Sequence, residues 1–190
     1  MTSTTKCLIT LFGVIFVLCA LIGGANTRSA PATQAEFTRT TVDLGAVVSD
    51  VEKAVKFYTE AIGFTELEGF SVSGSLAADS GLSDGKPLNV RVLILGEGAS
   101  ATKLKLMQVP GTASKRSDNS FIHSQLGYSY LTVFVSDTDR ALARLKRAGS
   151  APLAKGPVAL PADLAPGIYL TLVRDPDGNL IELVGPKGKE

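Results

Sequence analysis

The order of structural elements is indicated by two similar stretches, VDLGAVVSDVEKAVKFY at residues 42–58 and SYLTVFVSDTDRALARL at residues 129–145. A shift of 87 residues superposes them and places Val48 on Val135 and Asp50 on Asp137. In each stretch an apolar, β-prone run leads into Ser-Asp, and apolar residues then recur at the three- and four-residue spacing of a helical face. The chain therefore contains an internal repeat, and each copy predicts a strand followed by a helix.

The Ser-Asp pairs predict where the two helices begin. We expect Ser49 to cap the first helix, with Glu52 three residues later completing a capping box. Ser136 and Asp139 hold the same positions in the second copy, and Gly149 ends the helix there.

Short β-prone segments follow each predicted helix, separated by Gly-rich and Asp-Pro-Asp-Gly turn signals. We expect strands at residues 64–72, 88–95, 102–109, 151–158, 168–174 and 180–184, and a long loop at residues 71–86. The predicted fold class is α+β, with the pattern βαβββ occurring twice in one domain. Module one covers residues 38–110, a linker covers residues 111–125, and module two covers residues 126–186.

The first 25 residues differ in composition from the rest of the chain. Residues 7–22 are almost wholly apolar, and no charge occurs between Lys6 and Arg28. A polar start, an apolar stretch and small residues near Ala25 are typical of a secretory signal peptide. We therefore expect residues 1–25 to be removed, residues 26–37 to form a disordered lead-in, and the protein to be exported as a periplasmic or secreted protein. The alternative is an uncleaved membrane anchor, since the uncharged stretch approaches the roughly 20 residues of a spanning helix.

Charge and cysteine content limit the partners and the chemistry. The 19 Lys and Arg residues nearly balance 18 Asp and Glu residues, so the formal net charge is +1 and no nucleic-acid partner is expected. Cys7 and Cys19 both lie in the N-terminal segment, which leaves the remaining domain without a disulfide or a thiolate metal site. The expected partner is a small-molecule ligand. A homodimer is left open, and a membrane is a partner only if the N-terminal segment is retained.

Two further segments carry a family resemblance. FYTEAIGF at residues 57–64 and DPDGNLIEL at residues 175–183 resemble the vicinal oxygen chelate superfamily, which includes glyoxalases, bleomycin-resistance proteins and extradiol dioxygenases. The resemblance covers about residues 38–186. It implies that the two βαβββ modules pair to form a curved mixed sheet around a cavity. It also implies a divalent metal held by the first and last strands of each module.

The four metal-ligand positions that the resemblance implies fall at Asp43, Lys105, Tyr130 and Glu182. Only Glu182 has the identity typical of the family, because a protonated lysine has no lone pair and a neutral phenol is a poor ligand. We therefore predict no cofactor and no metal site, with one divalent metal ion as the alternative. In place of the metal we expect a network of Asp43, Lys105 and Glu182, with the Tyr130 hydroxyl as a further donor.

Alternation along the strands predicts which side chains share the cavity. If the aliphatic sets pack against the helices, the polar and aromatic sets face the cavity. The predicted ligand-binding residues are then Asp43, Asn89, Arg91, Lys105, Tyr130, Thr132, Phe134 and Glu182. Such a mixed lining is typical of small-molecule pockets.

Three functions are compatible with these residues. The favoured one is an exported protein that binds a small molecule without a metal. The alternative is a metal-dependent enzyme, either a glyoxalase-like lyase or isomerase, an epimerase or a dioxygenase. It would use Glu182 as the best catalytic candidate, with Asp43 and the single histidine, His123, completing the metal site. The third is an extracellular interaction domain whose cavity is closed by packing.

Overall fold

The computed structural model describes residues 37–39, 41–98 and 101–188. The predicted signal peptide lies outside the described residues, as does the predicted lead-in apart from Phe37. The first module contains β1 (Asp43–Val47), α1 (Val51–Lys56, continued as a π-helical turn over Phe57–Ile62), β2 (Thr65–Val72), α2 (Gly74–Asp79), β3 (Leu88–Leu95) and β4 (Thr102–Gln108). The second contains β5 (Tyr130–Phe134), α3 (Thr138–Arg147), β6 (Val158–Ala159), β7 (Ile168–Arg174) and β8 (Leu180–Pro186).

The two modules repeat one topology. The strand order is β1-β4-β3-β2 in one four-stranded sheet and β5-β8-β7-β6 in the other. In each sheet the module's first strand pairs in parallel with its last strand, and the remaining pairs are antiparallel. The predicted α+β class and the paired βαβββ arrangement are therefore confirmed.

One apolar core joins the modules. Leu93, Leu104 and Leu106 of the first sheet belong to the same buried cluster as Ile181 and Leu183 of the second. Residues of α1 and α3 fill the space between these side chains. We call the face of each sheet that packs on α1 or α3 the helix side and the opposite face the cavity side. Within the described ranges, no helix is long and apolar enough to cross a membrane.

The helix caps differ from the prediction by one residue. Asp50 caps α1 by accepting a hydrogen bond from the Lys53 backbone N–H at 3.1 Å, while the Ser49 N–H donates to Asp177. Asp137 caps α3 in the same way. The predicted caps at Ser49 and Ser136 are therefore wrong. Serine and aspartate both suit the cap position, but a carboxylate is also stabilised by the positive end of the helix.

Two predicted segments also differ. Of the strand expected at residues 151–158, the structure has only Val158–Ala159, because Pro152 and Pro157 cannot donate to a strand ladder. The predicted long loop contains α2, whose Ala77 packs on the cavity side of the first sheet. The other predicted strands begin and end within two residues of their expected bounds.

Candidate functional site

A cleft of about 370 Å³ separates the first strands of the two modules. All five residues of β1 line one wall, and Tyr128 to Leu131 line the other. Tyr58, Leu104, Asn179 and Leu180 complete the lining. Because consecutive residues of a strand point to opposite faces, a wall of five consecutive residues means that the cleft meets β1 along its edge. We call this space the β1–β5 cleft. Its volume lies within the roughly 300 to 1,000 Å³ of typical ligand pockets.

An ion-paired carboxylate lies at one end of this cleft. Asp43 Oδ2 is 2.9 Å from Lys105 Nζ and 2.9 Å from Arg39 Nη2. Asp43 Oδ1 is buried and has no hydrogen-bond partner among the described residues. The Lys105 ammonium, and after it the Arg39 guanidinium, hold the pKa of the Asp43 carboxyl below its usual value. The predicted contact between Asp43 and Lys105 is therefore present, and Arg39 adds a second cation.

Glu182 does not join this cluster. Its Oε2 accepts a hydrogen bond from Thr132 Oγ1 at 2.7 Å, as expected for facing residues of β5 and β8. In the described part of the chain, none of the ion pairs includes Glu182. The expected network of Asp43, Lys105 and Glu182 is therefore wrong in its third member. Tyr130 lines the β1–β5 cleft and is half exposed.

Asn89 and Arg91 lie on the helix side of the first sheet. Arg91 faces Leu106, which is buried in the core beside α1. Its guanidinium pairs with Glu52 of α1 and lies 2.5 Å from Glu66. Asn89 accepts a hydrogen bond from a neighbouring hydroxyl of β2. The predicted placement of Asn89 and Arg91 on the cavity side is therefore wrong.

The reason is that two different helices cover the two faces of β3. Val90 and Val92 face the cavity side, where they pack with Ala77 of α2, and Leu93 packs on the helix side. The face with Val90 and Val92 is wholly aliphatic, and the face with Leu93 also carries Asn89 and Arg91, so alternation alone predicts that the aliphatic face meets α1. In the structure α2 covers the face with Val90 and Val92, and α1 lies over the opposite face, which carries Arg91.

The two remaining candidates lie apart from the β1–β5 cleft lining. Phe134 is 80% exposed near the end of β5. His123 lies in the loop before β5, where its ring stacks on Phe121 with centroids 5.7 Å apart. Among the described residues, no group of three or more His, Cys, Asp or Glu side chains is placed to hold a metal ion.

Several cleft residues were not predicted from the sequence. Tyr58, near the end of the first repeat stretch, lines the β1–β5 cleft, and its hydroxyl donates to Asp175 of the other module at 3.0 Å. Tyr128 and Asn179 lie in loop segments, where the sequence shows neither a strand nor a helix pattern. The one sequence feature that could have indicated the cleft was Gly45. A glycine inside a strand pattern often marks a place where a ligand or another backbone comes close to the strand.

Comparisons with known proteins identify the family of this chain and support its fold. A sequence profile of the Glyoxalase/Bleomycin resistance protein/Dioxygenase superfamily matches residues 40–183. No curated protein sequence is similar enough to count as a relative. A glyoxalase family protein from Bacillus cereus is 20% identical with a TM-score of 0.63, over 80% of this chain and 96% of that chain.

Two glyoxalase I structures are also similar. A variant from Zea mays is 18% identical with a TM-score of 0.56, over 78% of this chain and 46% of that chain. The enzyme from Leishmania major is 21% identical with a TM-score of 0.52, over 78% of this chain and 87% of that chain. At these identities the structural likeness shows the fold alone. Since the profile spans most of the described residues, this chain belongs to the Glyoxalase/Bleomycin resistance protein/Dioxygenase superfamily, which is the vicinal oxygen chelate superfamily.

Proposed function

We propose that this protein binds a small molecule in the β1–β5 cleft and that binding needs no metal ion. The observation that carries the proposal is the 2.9 Å ion pair between Lys105 and Asp43. These residues hold two of the four positions at which the family resemblance places metal ligands. A protonated ammonium cannot coordinate a cation, and the Lys105 ammonium already contacts one of the two Asp43 carboxylate oxygens.

Of the other two residues at those positions, only the Glu182 carboxylate is an ordinary ligand of a divalent cation. Glu182 is hydrogen-bonded to Thr132, and Tyr130 offers a half-exposed phenol. A metal ion beside Asp43 would also lie next to the fixed positive charges of Lys105 and Arg39. This repulsion argues against the alternative of an enzyme that uses Glu182 with a metal.

The β1–β5 cleft has features that suit a small ligand. Tyr128, Ser129, Tyr130 and Asn179 bring hydroxyl and amide groups to the cleft, beside aliphatic side chains of both walls. In such pockets the apolar surface supplies most of the affinity, and a few polar groups fix the orientation. Tyrosine serves both purposes because its ring is apolar and its hydroxyl forms hydrogen bonds.

The proposal predicts binding that does not depend on metal. In a two-dimensional NMR screen of small aromatic compounds, hits should shift the backbone amides of β1 and β5. The affinities should be the same before and after treatment with a chelator, and elemental analysis should find far less than one transition-metal ion per chain. Stoichiometric metal together with a loss of binding after chelation would contradict the proposal. Shifts confined to surfaces away from the cleft would argue against the site.

We also propose that the protein is exported, because the uncharged run before Arg28 is followed by small residues. The protein recovered from its native host should then begin between Asn26 and Glu36, as measured by intact mass. Full-length chain in the membrane fraction would support the anchor instead.

A further inference from the structure

The β1–β5 cleft lies between two strand edges. β1 ends the order of the first sheet and β5 ends that of the second, so each pairs with one neighbour in the described structure. An unpaired edge presents a row of backbone N–H and C=O groups that can bind another chain. The walls of the cleft therefore contain main-chain groups as well as side chains.

The register shows which groups of β1 point into the cleft. The Val48 N–H donates to the Met107 carbonyl of β4 at 2.9 Å. Alternate residues of a strand direct their N–H and C=O groups to opposite neighbours, so Ala46 and Val48 face β4. The main-chain groups of Asp43, Gly45 and Val47 consequently face the cleft. None of them has a hydrogen-bond partner within the described ranges.

The opposite wall is arranged in the same way. The Val135 N–H donates to the Val184 carbonyl of β8 at 2.8 Å. By the same alternation, the main chain of Tyr130 faces the cleft. Both walls therefore offer backbone donors and acceptors.

Gly45, in the middle of β1, is exposed, and neither conformation nor packing requires a glycine there. Its φ lies outside the positive range that favours glycine. The nearest atom to an added Cβ is the flexible Met107 Cε at 3.4 Å, an ordinary contact. A glycine inside a strand weakens it and often marks a place where a ligand or another backbone approaches closely. The open cleft beside Gly45 is where such an approach is possible.

We infer that the β1–β5 cleft binds amide-bearing ligands, such as short peptides, through the main chain of β1 around Gly45. This inference rests on the proposed function and narrows its ligand class. An extended peptide repeats donors and acceptors at the spacing of a strand, and main-chain pairing supplies the affinity in strand addition. Asp43 is the charged residue of the cleft lining and is already paired with Lys105 and Arg39. A ligand that is uncharged where it meets β1 therefore fits best.

The inference is tested with acetyl-trialanine N-methylamide, an uncharged peptide, titrated into the isotope-labelled protein. The NMR signals of Gly45 and Val47 should shift with a saturable dependence on peptide concentration. A matched peptide with N-methylated backbone amides keeps the carbonyls but lacks the donors. It should bind at least about tenfold more weakly. Equal affinity of the two peptides would overturn the inference.

Gly45→Val provides the matching change in the protein. Its branched side chain adds bulk to the cleft lining at the proposed pairing position, so peptide affinity should fall about tenfold. Gly45→Ala, whose Cβ fits beside Met107, should retain the fold and lose less affinity. If both variants bind the peptide as the wild type does, the inference is wrong. If the peptide fails to bind but aromatic compounds bind in the cleft, the inference fails and the proposed function stands. If neither binds, both fail.

Discussion

Replacing Asp175 by alanine should lower the free energy of unfolding by about 3 to 5 kcal/mol. Asp175 is only 5% exposed. Its Oδ1 accepts the backbone N–H groups of Asp177 and Asn179, and its Oδ2 accepts the Asn179 side-chain amide and the Tyr58 hydroxyl. Alanine would leave these donors without an acceptor and would remove the Tyr58 hydrogen bond, one of those that join the two modules. Urea denaturation followed by circular dichroism measures the loss.

Two variants separate this effect from a general loss of charge. Asp163→Ala removes an exposed loop carboxylate and should change stability by less than about 0.5 kcal/mol. Tyr58→Phe removes only the hydroxyl that donates to Asp175, which is one of the hydrogen bonds between the modules, and should cost about 1 to 2 kcal/mol. Burial, and then the charge of Asp175, raise the pKa of Tyr58, so its hydroxyl stays a protonated donor in this experiment. If the free energy of unfolding of Asp175→Ala lies within about 1 kcal/mol of the wild-type value, the hydrogen bonds of Asp175 do not stabilise the paired modules.

The fold was predictable because its signals are local. In residues 42–58 and 129–145 the apolar period changes from that of a strand to that of a helix, and both changes are found in the structure. The start of α1 was misplaced because Ser49 and Asp50 are both good caps and only the backbone geometry chooses between them. Helix α2 was missed because it is six residues long and too short for a periodic pattern.

The site was only partly predictable because strand alternation gives the face of a residue but not what covers that face. Lys105 was correctly expected beside Asp43, since β1 and β4 are neighbours in the repeat topology. Arg39 precedes β1, where no periodic pattern places a side chain. Arg91 was assigned to the wrong face because α2, and not α1, covers the aliphatic side of β3. The gap between β1 and β5 depends on how the modules pack, which no local pattern contains.

Replacing Lys105 by methionine should lower the free energy of unfolding by about 2 kcal/mol at pH 7. This value lies between those for buried and exposed ion pairs, because the Asp43 side chain is 13% exposed and that of Lys105 is 33% exposed. Methionine keeps much of the volume but removes the ammonium. The charge of Asp43 is then stabilised by Arg39 alone, and its buried Oδ1 has no compensating donor among the described residues.

The effect of Lys105→Met should depend on pH. The pKa of Asp43 in the folded protein lies below its usual 3.8. Ionised Asp43 therefore adds to the free energy of unfolding at pH values above 3.8. This stability is lost as pH falls through the lowered folded pKa. The difference between wild type and variant should therefore be largest near neutral pH and should shrink toward about pH 3. Urea denaturation at both pH values measures it.

Lys103→Met is the matched control for the lysine. Lys103 lies two residues away on the same side of β4, and none of the ion pairs of the described residues includes it. Its replacement should cost less than about 0.5 kcal/mol at either pH. Equal losses for the two lysines, or a Lys105→Met loss that stays constant from neutral to acidic pH, would show that the ion pair with Asp43 does not stabilise the site. A loss specific to Lys105 and to the ionised carboxylate would mean that a fixed ammonium compensates Asp43 where the family resemblance places a metal ion.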